Sequence, residues 1–209
     1  MKTIVCYGDS NTWGADPAGL GRFGYDTRWT GVLRIELGAG YRVVEEGLNG
    51  RTTVVDDPIH LWKNGRDYLM PCLESHQPID LVTIMLGTND LKARFNRSAS
   101  DIAESAGALA QMAAQSPFGV DGAGPKVLMI APPPVTRLTR LDEMFEGAVE
   151  KSKKFGRYYA ETAERRGVAF LDAGSVIRSS DLDGIHFDAE AHLALGKAIA
   201  AKLRELLRD

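Results

Sequence analysis

Cysteine is scarce in this chain: Cys6 and Cys72 are the two present among 209 residues. Two thiols cannot build a disulfide framework, and neither belongs to a Cys-x-x-Cys pair. No apolar run approaches the ~20 residues that a membrane-spanning helix requires. Basic excess is missing too. The net charge is -3, which argues against a general nucleic-acid or membrane-surface role. The phosphate-binding patterns Gly-x-x-x-x-Gly-Lys-Ser/Thr and Gly-x-Gly-x-x-Gly after a strand are absent. Gly-x-Ser-x-Gly, the strained elbow that presents some nucleophilic serines, is absent as well. The N-terminus carries one lysine and runs straight into a strand, so no cleavable signal peptide is expected, and a cytoplasmic location is.

The composition is that of an ordinary globular protein, with 44% apolar and 25% charged residues. The length predicts one domain, residues 1–209, large enough to bury a core unaided. Apolar β-type runs at Thr3–Tyr7, Tyr41–Glu45, Leu81–Leu86, Lys126–Ile130 and Ala169–Leu171 alternate with helical patterns. The helices are expected at Arg28–Leu37, Gly65–Ser75, Ser100–Gln115, Asp142–Arg166 and Ala189–Leu207, each with apolar residues three and four apart. Ser100 is the expected cap of its helix and Gly167 the stop of the long one. Alternating βα units predict an α/β fold, a three-layer αβα sandwich around a five-stranded parallel sheet in the flavodoxin-like order 2-1-3-4-5. The connections Ala15–Thr27, Arg51–Asn64, Ser116–Pro125 and Ala131–Leu141 are longer than compact α/β loops usually are. All but Ser116–Pro125 should rim the carboxyl edge of the sheet.

Open α/β sheets carry their reactive groups at that edge. Gly8-Asp9-Ser10 follows the first strand, and all three residues also suit a plain turn. Three other segments end at the same edge: Gly47 to Thr52, Gly87-Thr88-Asn89-Asp90, and Asp181 to Phe187. A serine hydroxyl needs a base to become a nucleophile. Of the four histidines, His186 is the best placed, with Asp183 three residues upstream to orient its ring. His60 lies in a rim loop and is a candidate substrate contact. His76 is expected at the surface, and His192 in a structural or solvated role. The backbone N–H groups of Ser10 and Gly50 and the side-chain amide of Asn89 are candidate oxyanion donors. Trp13 is a candidate wall of the substrate pocket, with core packing as the alternative. Asp181, Asp183 and His186, or Asp56, Asp57 and His60, could instead hold a metal, but no zinc-type spacing supports this, and neither a metal nor a cofactor is expected. A non-catalytic flavodoxin-like binding module is the reading from another class.

With these blocks in view, the sequence resembles the SGNH, or GDSL-type, hydrolases. Gly8-Asp9-Ser10 looks like that family's first block, Gly50 its second, Gly87 to Asp90 its third, and Asp183 to His186 its last. Asn11 stands where the motif name has leucine. Further stretches resemble the arylesterase branch: Thr12-Trp13-Gly14, Arg28 to Leu33, Glu45 to Leu48, Arg51-Thr52-Thr53 and Asp172 to Ile177. The resemblance implies the SGNH hydrolase fold and a Ser10–His186–Asp183 triad acting on a small-molecule ester, with Ser10, Gly50 and Asn89 as the oxyanion hole. It also implies homo-oligomers formed through long loops, and acyl transfer to alcohols beside hydrolysis. Carbohydrate acetylesterases and lysophospholipases or thioesterases of the same superfamily are the alternatives.

Overall fold

The computed structural model describes residues 1–208. Its strands are β1 (Lys2–Gly8), β2 (Tyr41–Gly47), β3 (Leu81–Met85), β4 (Lys126–Ala131) and β5 (Ala169–Asp172). They pair in parallel in the order β2-β1-β3-β4-β5, as expected from the βα alternation. β3 is buried along its whole length, which is why it reads as an unbroken apolar run. Along β1 the side chains alternate between two cores. Ile4 and Cys6 pack with helices α2 (Trp29–Leu37) and α7 (Ala189–Leu206) through Trp29, Leu33, Leu195 and Ile199. Val5 and Tyr7 face the opposite layer, against Leu69 and Leu73 of α3 (Gly65–His76) and Leu109 of α4 (Ala99–Ala114). The sandwich therefore has helices on both faces, and every strand delivers its carboxyl end to one rim.

Two helix boundaries differ from the sequence expectation. The cap of α4 is Ser98, whose Oγ accepts the Asp101 N–H at 3.1 Å, while Ser100 Oγ bonds Ser98 Oγ at 2.9 Å. The span 142–166 is not one helix: irregular chain leads into α5 (Ala148–Ser152) and then α6 (Phe155–Arg166). Gly147, at φ 76°, turns the chain into α5, and Ser152 Oγ accepts the Val135 N–H at 2.9 Å. That bond pins α5 to the loop after β4. Gly167 ends α6 in the left-handed conformation (φ 64°), as its position predicts. The Ser116–Pro125 connection lies at the amino edge of the sheet, where Ile79 N–H donates to Phe118 O at 2.9 Å.

α2 and α7 cross closely because Gly196 has no side chain. A Cβ there would sit 2.6 Å from Val32 Cβ and 2.7 Å from the Trp29 carbonyl oxygen. Gly196→Ala is therefore expected to destabilise the fold by about 1–3 kcal/mol through overpacking. The midpoint of urea unfolding measures this, and an unchanged midpoint would show that the crossing has slack.

Candidate active site

The chain turns sharply at the end of β1. Asp9 caps the single-turn helix α1 (Ser10–Trp13), its Oδ1 accepting the Asn11 N–H at 2.9 Å. Gly8 cannot be larger, since a Cβ would lie 2.0 Å from Thr12 Oγ1. The turn sets Ser10 Oγ 2.9 Å from His186 Nε2, and His186 Nδ1 lies 2.6 Å from Asp183 Oδ2. Asp183 Oδ1 accepts the backbone N–H groups of Ile185 and His186, each at 2.9 Å. The segment turns at Gly184, φ 83°, whose missing Cβ would meet the Arg137 carbonyl oxygen at 2.7 Å. Burial alone would raise the Asp183 carboxyl. The hydrogen bonds from the His186 ring and the two amides outweigh it and hold the group below its ordinary range. Asn11 Nδ2 donates to the Ile185 carbonyl at 3.3 Å, so the residue that departs from the motif name ties the Ser10 turn to the His186 turn.

Beside Ser10 and His186 opens a cavity of about 300 Å³. Asn49, Gly50 and Asn89 contribute to its lining, and Ala15, Leu141, Met144, Phe145 and Ile185 contribute its apolar surface. Among the described residues, no protein acceptor takes the backbone N–H of Ser10 or of Gly50. Asn89 Nδ2 donates to the Arg51 carbonyl at 3.1 Å, which orients the amide and leaves it a second N–H. The three expected donors thus border the cavity that the serine faces.

A network that sequence reasoning missed holds these loops in register. Asp90, fully buried, accepts the Thr53 N–H at 3.0 Å and the Thr53 hydroxyl at 2.5 Å. Arg51 is buried with its guanidinium 4.1 Å from the Tyr7 ring centroid. Its Nη1 donates to the Gly8 carbonyl at 2.9 Å and also to the Glu46 carbonyl. Desolvation pushes the carboxyls of Asp9 and Asp90 up to about 6 each, and their proximity adds to the rise at Asp90. Lys92, also on the cavity, lies 3.7 Å from Asp57.

Other candidates are placed elsewhere. Trp13 does not line the cavity beside Ser10; its ring packs under the Arg22 guanidinium at 4.9 Å. His60 lies outside that cavity, on an exposed loop 3.5 Å from Asp57. Asp57 is already paired with Arg94 at 2.7 Å, and Asp56 accepts a bond from Asn64, so the set Asp56, Asp57 and His60 is committed to cations and amides of the protein. Asp181 is 3.8 Å from Arg178 on the surface, away from Asp183 and His186 in role. His76 bonds Glu46 at 2.8 Å. His192 is buried and structural: its Nδ1 accepts the Trp29 N–H at 3.2 Å, and burial pushes its pKa down to about 4.

A serine, an imidazole and a carboxylate joined by hydrogen bonds at the carboxyl rim of an open parallel sheet have the geometry of nucleophile, base and orienting group that α/β hydrolytic enzymes use. The chain belongs to the GDSL-like lipase/acylhydrolase family, whose profile matches residues 6–194, and it is a carboxylic ester hydrolase of the SGNH fold. It is similar to the aryl esterase of M. smegmatis, at 45% identity and TM-score 0.94 over 99% of this chain and 100% of that one. It is similar as well to a carbohydrate acetylesterase from Sinorhizobium meliloti, at 42% identity and TM-score 0.95 over 99% and 100%. A lipase/acylhydrolase from Enterococcus faecalis shares the fold at 18% identity and TM-score 0.68, over 100% and 98%. No curated protein matched in sequence.

The raised carboxyl of Asp90 gives stability a pH signature. Between its unfolded value near 3.8 and about 6, the folded state binds more protons than the unfolded one. Stability from this group is thus present at low pH and lost as pH rises through about 6. Asp90→Asn removes that loss along with the Thr53 clamp. Its destabilisation relative to wild type should be larger at pH 4.5 than at pH 7.5, read by urea unfolding at both. A gap that widens with pH instead would mean that Asp90 is ionised throughout.

Proposed function

We propose that residues 1–209 form one catalytic domain, a serine esterase that cleaves short-chain aryl or alkyl carboxylic esters through a Ser10–His186–Asp183 triad. The observation that carries this reading is the unbroken chain from Ser10 Oγ through the His186 ring to Asp183, at 2.9 Å and 2.6 Å, facing the cavity. Ser10 Oγ adds to the ester carbonyl carbon as its proton passes to His186 Nε2. Asp183, kept ionised, balances the imidazolium and fixes its orientation. The oxyanion is held by the N–H groups of Ser10 and Gly50 and by the Asn89 amide, each donor worth about 3–4 kcal/mol. His186 then gives its proton to the departing alkoxide or phenoxide, leaving an acyl-Ser10. Water, deprotonated by His186, attacks this acyl group and restores the serine; an alcohol doing the same gives acyl transfer.

A cavity of about 300 Å³ is at the small end of ligand sites, and its apolar walls suit a short acyl or aryl group better than a long lipid chain. The similarity to a carbohydrate acetylesterase supports acetylated sugars as the second substrate class. Ile59, Leu61 and Trp62 expose apolar side chains on the loop between β2 and α3, which supports a homo-oligomer assembled through that loop.

Ser10→Ala should fold normally and lose on the order of 10⁶-fold in turnover of an aryl acetate, while Asp183→Asn loses about 10⁴-fold. Wild type should be labelled by a fluorophosphonate and Ser10→Ala should not. Retained turnover or labelling in Ser10→Ala would reject the mechanism. Rates on aryl acetates, acetylated sugars and long-chain esters rank the substrate classes.

A further inference from the structure

Away from the ester site, we propose that Glu46, Cys72 and His76 form a binding site for a divalent transition metal of the zinc class. One donor atom from each of the three lies within 4.8 Å of the others. Cys72 and His76 are four apart on α3, so they stand one above the other on one helix face. Glu46, near the end of β2, supplies the third donor from the neighbouring element, with Oε1 already 2.8 Å from His76 Nε2. Helix and strand therefore bring the groups together before any ion arrives.

The donor chemistry is selective. Thiolate sulfur, imidazole nitrogen and carboxylate oxygen together suit zinc, which takes all three in tetrahedral sites; magnesium and calcium demand oxygen. Three protein donors leave a fourth position for water. The ligand charges also close: a dication with one thiolate, one carboxylate and a neutral imidazole is electrically neutral. The ion has a route in, since the side chains of Glu46 and His76 are 18% and 20% exposed, while Cys72 is fully buried at the inner end. Binding as thiolate exchanges the Sγ proton for the metal and releases that proton to solvent.

None of the three residues lines the cavity beside Ser10, so the site has no chemical part in ester cleavage. It has a structural one. The Glu46 carbonyl accepts from Arg51, which also holds the Gly8 carbonyl before the Ser10 turn. An ion on Glu46 and α3 therefore braces the strand end from which Gly50 is hung.

Chelator-treated protein titrated with Co²⁺ tests the proposal. One equivalent should produce a thiolate-to-cobalt charge-transfer band with tetrahedral d–d absorption, and Zn²⁺ should bleach both. Cys72→Ser should abolish the band, Cys6→Ser should keep it, and His76→Gln should weaken binding at least tenfold. X-ray absorption of the zinc-loaded wild type, which needs no variant to fold, should show one sulfur ligand near 2.3 Å. A zinc shell without sulfur, a band that survives Cys72→Ser, equal affinity in His76→Gln, or no saturable binding would each overturn the site.

Discussion

The carboxylate of Asp90 holds two strand-end loops as one. Parallel pairing brings the ends of β1, β2 and β3 side by side, but it does not fix how far each loop leans over the rim. Asp90, just beyond β3, takes both the amide and the hydroxyl of Thr53 from the loop beyond β2. The neighbouring Asn89 takes hold of the Arg51 carbonyl, and the Arg51 guanidinium reaches back to Gly8 at the end of β1. Each bond runs from one loop to another, and the residue between Arg51 and Asn49 is Gly50. The donors proposed for the oxyanion are thus fixed by hydrogen bonds to neighbouring loops, the arrangement that preorganised sites require.

Among the buried carboxyls of this rim, Asp183, Asp9 and Asp90 are divided by their surroundings. Asp183 gains an imidazole and two amide partners and lies below its ordinary range. Asp9 has one amide partner, while its Oδ2 has none, and it is pushed up to about 6. Asp90 is well bonded yet also raised to about 6, because it is fully desolvated and lies within reach of Asp9. Of these three, the carboxyl that meets the imidazole stays charged as pH falls, whereas Asp9 and Asp90 take up protons earlier. Similar groups acquire different roles from burial and hydrogen bonding alone.

How much of this was legible in the sequence follows the range of the interactions. The sheet order and both faces of β1 follow from βα alternation and apolar runs. Asp183 and His186 were legible because a three-residue spacing in a glycine turn nearly fixes their geometry. Asn11 read as a departure from a motif, since its bond to Ile185 spans most of the chain and leaves no local pattern. The Thr53–Asp90 clamp was hidden for the same reason. The span 142–166 carried helical periodicity throughout. What breaks it is a tertiary bond from Val135 to Ser152 and the left-handed turn at Gly147, neither of which periodicity encodes. Nothing local to Trp13 separates a pocket wall from core packing, and its ring lies beneath Arg22, away from the cavity lining.

That broken helix bears directly on the shape of the cavity beside Ser10. Had 142–166 been continuous, Leu141, Met144 and Phe145 would have had no irregular chain to carry them over the rim. Instead they line the cavity together with Gly50 and Asn89, and Phe145 is buried in the same cluster as Val135 and Ile185. The two sides of the cavity are thus built differently. One side is the cross-bonded set of strand-end loops, where a shift would break several hydrogen bonds at once. The other is an apolar wall held by packing, by the Ser152–Val135 bond and by the Ala93 N–H, which donates to the Met144 carbonyl at 2.9 Å. Apolar walls tolerate changes of volume better than hydrogen-bonded networks tolerate loss of a partner. Under the proposed esterase mechanism the 141–145 wall is the side against which the acyl or leaving group packs, while the cross-bonded side carries the proposed oxyanion donors.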